Sequence, residues 1–275
     1  MRVLFSTTTG DGHFGPLIPV ARECAAAGHE IAVAAPQTFH GAVENAGFRH
    51  LPFPDVPVDV MRRVYDRLPY LPRTEANRLV IAEIFARLDA QAALPGLIDI
   101  LASWRPDIVV REPCEFASLV AADSAGIAQV QVAIGMFRFG SGFAAVAAEP
   151  LAELSSLAGL PADRGATLAV ASPMFTSVPA ILDAPDLDLD DAAPSGSDPG
   201  LGPIWRFRGR VEGGNGRLPG RWGNHDHPVL YVTYGSVTGG MAHLSDLYQA
   251  TLHALADLPG PGALDHRTRR RSIHG

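Results

Sequence analysis

Lysine is absent: all 22 basic residues of this 275-residue chain are arginine. Against 29 acidic residues they leave a formal net charge of −7. A chain of that balance lacks the basic face that a nucleic-acid binder needs, so no such partner is expected. With the abundance of Ala, Gly and Pro, the arginine bias reflects a GC-rich genome rather than a function. Cysteine occurs only at Cys24 and Cys114. Two cysteines build no metal cluster, and both read as reduced thiols of a cytoplasmic protein. No apolar run reaches the ~18 residues that a membrane helix needs. Met1 leads straight into a short strand, with no basic segment and longer apolar run behind it, so no secretory leader is expected.

What is present is largely apolar: hydrophobic residues make up 47% of the chain, enough for a sizeable core. Val3–Ser6 reads as a buried strand. It runs into the turn Gly10-Asp-Gly12-His13-Phe14-Gly15-Pro16. Leu17, Val20, Ala21 and Cys24 then fall on one helical face, with Pro16 at the start and Gly28 past the end. Glu30–Ala35 is the next strand, Phe39–Ala46 a short helix and His50–Leu51 a third strand. This β-α-β-α-β run opens a doubly wound α/β sheet, Rossmann-like. Residues 52–73, rich in proline and mixed charge, read as a long loop. Helix is expected over 75–93 and again over 97–103, interrupted by Pro95-Gly96. Ile108–Arg111 is a fourth strand, 116–124 a helix and Gln129–Ala133 a fifth strand. Residues 144–157 read as helix with a kink near Pro150.

Residues 183–202 are acidic and proline-rich, and 206–224 are glycine-rich in the manner of a linker. Val229–Thr233 is a new strand, and a helix follows over 244–258. After Pro259 the apolar periodicity ends in Arg267-Thr-Arg-Arg-Arg271. The expected organisation is therefore a domain over 1–205, a linker over 206–226, the start of a second domain over 227–258 and a disordered tail over 259–275. No strand is expected to follow Val229–Thr233 and pair with it.

The chemistry concentrates at the first turn. Gly10-x-Gly12-x-x-Gly15 formally fits the dinucleotide fingerprint, which also wants an acidic residue near the end of the second strand. That strand ends Ala34-Ala35-Pro36-Gln37, without a carboxylate. A dinucleotide-binding oxidoreductase stays open as an alternative without that second support. His13 sits where open parallel sheets bind ligands, beyond the carboxyl ends of the strands. The fourth strand ends in Arg111-Glu112-Pro113. In strand order 3-2-1-4-5 the first and fourth strands are neighbours, so Glu112 can meet His13. A carboxylate on one imidazole nitrogen fixes the tautomer and raises the basicity of the other. Glu115 is an alternative partner, equally explained by the dipole of the following helix.

These residues resemble a known family. Gly-Asp-Gly-His13 with Gly15-Pro16-Leu-Ile-Pro19 is similar to the N-terminal domain of GT-B fold, family 1 glycosyltransferases, above all the actinobacterial natural-product type. Ala27-Gly28-His29-Glu30, Ala46-Gly47-Phe48, Pro106-Asp107-Ile-Val-Val and Val232-Thr233-Tyr234-Gly235-Ser236 extend the likeness over most of residues 1–258. The resemblance implies inverting transfer of a sugar from a UDP- or dTDP-linked donor to a hydroxyl of a small acceptor, such as a macrolide or polyketide aglycone. It implies no cofactor and no essential metal. His13 matches the family's general base, and Glu112 stands where an aspartate is usual. Gly12, Phe14, Tyr65, Phe137 and Phe139 are expected at the acceptor. Gly10, Gly235 and Ser236 are expected at the donor diphosphate.

The later part departs from the pattern. A Trp-x-Pro-Gln segment, a His-x-Gly turn and an Asp-Gln pair would mark a full donor domain, and none follows Ser236. The expectation is a truncated donor-binding domain and a chain inactive alone. A non-catalytic acceptor-binding module is the other alternative.

Overall fold

The computed structural model describes residues 1–136, 142–183, 202–208, 230–234, 245–255 and 262–264. The chain divides into two compact units, Met1–Arg210 and Val211–Gly275.

The first unit is built on strands β1 (Arg2–Ser6), β2 (Glu30–Pro36), β3 (Arg49–Phe53), β4 (Ile108–Arg111), β5 (Ala128–Val132), β6 (Met174–Thr176) and β7 (Ile204–Arg206). They lie in the order β3-β2-β1-β4-β5-β6-β7, with every neighbouring pair parallel. The chain order reverses between β1 and β4, which makes their carboxyl ends the switch point of the sheet. Parallel strands are covered on both faces, and β1 shows the consequence. Val3 and Phe5 pack with Phe14, Leu17, Ala21 and Val43, on helices α1 (Asp11–Phe14), α2 (Leu17–Ala26) and α3 (His40–Asn45). Leu4, between them, packs on the opposite side with Leu94, Leu97, Leu119 and Leu151.

Residues 52–73 are not one loop. They contain α4 (Val58–Tyr65) and a 3₁₀ turn, Leu68–Tyr70. Pro57 is the residue just before α4, where a fixed φ favours a helix start rather than a coil. Nor does Pro95-Gly96 interrupt the next helix. Helix runs unbroken through α5 (Arg73–Leu79), a π-helical stretch Val80–Asp89 and α6 (Ala90–Trp104), with Pro95 inside α6. The buried stripe Ala93, Leu94, Leu97, Ile100 and Leu101 supplies tertiary packing that outweighs proline's propensity cost.

Further along lie α7 (Ala117–Ser124), α8 (Phe143–Val146), α9 (Ala148–Leu157), α10 (Arg164–Ala171) and α11 (Ala180–Asp183). The break expected near Pro150 falls instead between Val146 and Ala148. Pro150 sits in the first turn of α9, where its missing N–H costs no helical bond. In the second unit, β8 (Leu230–Val232), α12 (Ser245–Leu255) and β9 (Gly262–Leu264) follow in order, and β8 pairs in parallel with β9. That corrects the expectation that β8 has no following strand. β9 is three residues long and lies past Pro259, too short to show a period. Among the described residues no helix is long and apolar enough to cross a membrane.

Candidate active site

Two turns meet at the carboxyl ends of β1 and β4. Backbone pairing brings them together: Ser6 lies in register with Arg111, and the Glu112 N–H donates to the Ser6 carbonyl at 3.3 Å. After β1 the chain reverses at Gly10, whose φ of 118° is a region that L side chains rarely adopt. His13 follows on the single turn of α1. Gly15 closes that turn so tightly that a Cβ there would lie 2.7 Å from the Asp11 carbonyl oxygen.

Nδ1 of His13 lies 3.2 Å from Oε1 of Glu112. This is an ion-pair contact rather than an aligned hydrogen bond, because Nδ1 is shut off from solvent without a partner of hydrogen-bond geometry. Such contacts are often loose in a ligand-free site and tighten when substrate binds. The Glu112 side chain is fully buried. Oε1 also accepts the Thr8 hydroxyl at 2.9 Å, and Oε2 accepts the Cys114 N–H at 2.7 Å. Burial alone would push the Glu112 carboxyl up. His13, the Cys114 N–H and the Thr8 hydroxyl outweigh burial and hold it below its usual range. Burial likewise opposes a charged His13, but Glu112, with Asp89 behind it, raises the imidazole above its ordinary value. With Nδ1 turned to the carboxylate, Nε2 is the nitrogen left to take a proton.

Glu115 is not the histidine's partner. It is buried at the start of α7, where its carboxylate accepts the Ser118 N–H at 3.0 Å. Burial raises its pKa. A fully buried arginine, Arg111, offsets these acids from β4. Its guanidinium reaches the Gln129 and Gln131 side chains and the Glu112 carbonyl at 3.2 to 3.4 Å. Burial pulls it down to about 10, still far above neutrality.

A cavity of about 350 Å³ adjoins the pair. Thr8, Thr38, Asp55, Asp89, Cys114 and Glu115 supply its polar wall, and Phe53, Val56, Met61, Tyr65, Phe85 and Phe116 its apolar one. That mix suits an apolar ligand fixed by a few polar groups. Two lining residues come from the π-helical stretch: Phe85, whose ring sits 5.1 Å from the His13 ring, and Asp89. Burial first, then the nearby Glu112 charge, pushes Asp89 up to about 7.

Of the residues picked from sequence, the fold joins His13 and Glu112 and places Tyr65 on the cavity. Phe14 is elsewhere: it is buried in the core and meets Phe39 edge-on, so it does not line the cavity. Gly12 is exposed, with open space where a Cβ would stand, and Gly10 lies under the His13 ring. Phe137, Phe139, Gly235 and Ser236 lie outside the described residues. Sequence reasoning missed Phe85, Asp89 and Cys114. The spacing Phe85-x-x-x-Asp89 on one helix face was the available signal for the first two.

Residues 23–151 match the family described as erythromycin biosynthesis protein CIII-like, N-terminal domain. That match contains Glu112 but begins after His13. An L-demethylnoviosyl transferase from Streptomyces niveus is 35% identical over 159 residues, 57% of this chain and 41% of that protein. The crystal structure of the glycosyltransferase SnogD from Streptomyces nogalater superposes with a TM-score of 0.62 at 26% identity, covering 96% of this chain and 66% of that one. The spinosyn rhamnosyltransferase SpnG shares the fold, with a TM-score of 0.66 at 20% identity over 96% of this chain and 65% of that one. The chain thus spans less than half the length of the curated relative and about two thirds of the solved chains.

Proposed function

We infer that this chain belongs with the actinobacterial natural-product glycosyltransferases of GT-B fold, to which its EryCIII-like N-terminal domain is similar, and that it forms the acceptor side of a sugar transfer with His13 as general base. The observation that carries this reading is the 3.2 Å approach of His13 to a buried Glu112 beside a largely apolar cavity. In the proposed step an acceptor hydroxyl gives its proton to Nε2 of His13. The oxygen forms a bond to the anomeric carbon of a UDP- or dTDP-linked sugar. The bond from that carbon to the diphosphate breaks, the nucleoside diphosphate leaves, and the configuration inverts.

Glu112 holds the imidazole in the tautomer that bares Nε2 and stabilises the imidazolium once it forms. Because Thr8 and the Cys114 N–H fix the carboxylate in turn, the longer glutamate side chain reaches a defined position. Phe85 and the cavity's other aromatic and aliphatic side chains suit a macrolide or polyketide aglycone. Relatives whose names state such chemistry include an erythronolide mycarosyltransferase and a TDP-daunosamine transferase. Free thiols at Cys24 and Cys114 suit a reducing cytoplasm.

The test is a transfer assay with UDP- and dTDP-sugars and a panel of macrolide and aromatic polyketide aglycones, read by mass spectrometry. The chain alone is expected to give little or no transfer. Wherever transfer is measured, in this chain or with a donor domain supplied in trans, replacing His13 by Ala is expected to lower it ~10²–10⁴-fold, the range of a positioned base. Aglycone affinity, read by fluorescence, should stay unchanged. Transfer that survives His13→Ala contradicts the proposal. Aglycone binding with no transfer even when a donor domain is supplied in trans favours the second reading, a non-catalytic acceptor-binding module.

A further inference from the structure

The His13–Glu112 pair has a third neighbour that the transfer reaction does not use. A ring nitrogen of His13, a carboxylate oxygen of Glu112 and Sγ of Cys114 all lie within 4.8 Å of one another. The Cys114 thiol is there because the chain turns back at Pro113 and ties the Cys114 N–H to the Glu112 carboxylate at 2.7 Å. Glu112 is fully buried and Cys114 nearly so. Nδ1 of His13 is a buried atom whose one contact, 3.2 Å to Glu112 Oε1, falls short of hydrogen-bond geometry. A buried polar atom so loosely paired has room for a stronger partner, and an ion is one such partner.

We propose that His13, Glu112 and Cys114 form a binding site for a thiophilic divalent cation, Zn²⁺ above all. Imidazole nitrogen, carboxylate oxygen and thiolate sulfur are the three donor types that zinc takes, at ~2.0–2.3 Å. Around a tetrahedral ion, donors at those lengths stand roughly 3.3–3.8 Å apart. The His13–Glu112 separation of 3.2 Å already fits that spacing. Only Sγ needs to draw in, by on the order of an ångström. The fourth position is left to water or a ligand, since Cys114 also lines the cavity. Further acid groups, Asp89 and Glu115, lie near Glu112, and the nearby Arg111 guanidinium is already bonded to glutamine side chains and the Glu112 carbonyl.

The functional consequence rests on the transfer reading given above. An ion between Nδ1 and the carboxylate takes away the contact that orients the base, so zinc binding switches the dyad off and a chelator restores it. Occupancy itself is independent of transfer and is measured without it.

The experiment titrates Co²⁺, then Zn²⁺, into the reduced full-length chain. Its readouts are the thiolate-to-cobalt charge-transfer absorption and calorimetry. One equivalent is expected, with the charge-transfer band displaced by Zn²⁺. Cys114→Ser should abolish the band, and His13→Ala should weaken Zn²⁺ by at least about tenfold, the scale of losing a metal-site group. Cys24→Ser, at the other cysteine, should leave both unchanged. Circular dichroism of each variant establishes that it is folded. Where Cys114→Ser does not fold, protection of the Cys114 thiol from a maleimide by Zn²⁺ in the native chain replaces it. Absence of a thiolate band, a band that persists in folded Cys114→Ser, or one lost with Cys24→Ser overturns the site.

Discussion

Glu112, Asp89 and Glu115 gather at one site, and each is held in a different state by its surroundings. Glu112 is held below its usual range by His13, the Cys114 N–H and the Thr8 hydroxyl, Glu115 accepts the Ser118 N–H at the start of α7, and Asp89 has its proton affinity raised. Asp89 therefore makes stability depend on pH, with a definite sign. Its folded value of about 7 lies above the ordinary 3.8, so the folded chain holds a proton that the unfolded chain releases between those limits. Stability contributed by this group is full below pH 4, falls as pH rises towards 7 and then levels off. Asp89→Asn should accordingly raise the melting temperature at pH 8 and leave it nearly unchanged at pH 4. The ceiling is on the order of a few kcal/mol. A variant less stable than the parent at pH 8 would show that ionised Asp89 is paired in the folded state. His13 and Glu112 were legible from sequence because each lies in the turn that follows a strand whose neighbour the topology fixes. Phe14 was misplaced because an adjacent residue on a helical turn points another way, here into the core with Phe39. Cys114 was not legible, and Asp89 only through its spacing from Phe85, since packing alone brings the long helix and the Pro113 turn against the first turn.

Strands β1 to β5 were legible to within about a residue or two, because short apolar runs closed by glycine and proline have few alternatives. Between Pro57 and Trp104 the helix over 75–93 and 97–103 was legible, but α4 and the unbroken join at Pro95-Gly96 were not, because proline reads as a stop. Pro57 starts a helix and Pro95 is carried inside one by the packing around it. Gly96 explains why this segment must come so close. A Cβ there would stand 2.9 Å from both Phe53 Cβ and Pro54 Cδ, and 3.2 Å from Phe53 Cα, at the end of β3. The neighbour includes backbone and cannot swing aside. Gly96→Ala should cost ~1–3 kcal/mol in denaturant unfolding, the usual range for overpacking. It should also disturb the cavity, since Phe53 and Pro54 line it. An alanine variant as stable as the parent would mean that α6 does not lie this close to β3. The π-helical stretch before α6 is the element that sets Phe85 against His13. The stretch is ten residues long, and no residue pattern announces it.

Taken whole, the molecule concentrates its proposed chemistry in the first unit. His13, Glu112, Cys114 and the cavity residues all lie within Met1–Arg210. Removing Val211–Gly275 should therefore leave the proposed Zn²⁺ stoichiometry of one unchanged; loss of cobalt or zinc binding in a folded 1–210 fragment would tie the site to the second unit. The doubly wound order was legible because β-α-β units with right-handed crossovers leave few arrangements. The parallel partner of β8 was not, because three residues carry no period. The central claim is that His13 and Glu112, on turns far apart in the sequence, meet as a proton-accepting pair. The most direct measurement is an NMR titration of ¹³C- or ¹⁵N-labelled histidine in the chelator-treated chain, with His13 assigned by its loss in His13→Gln. The account predicts a His13 pKa above 6.5, falling when Glu112 is replaced by Gln. A His13 pKa at or below 6.5 that does not respond to Glu112→Gln would contradict it.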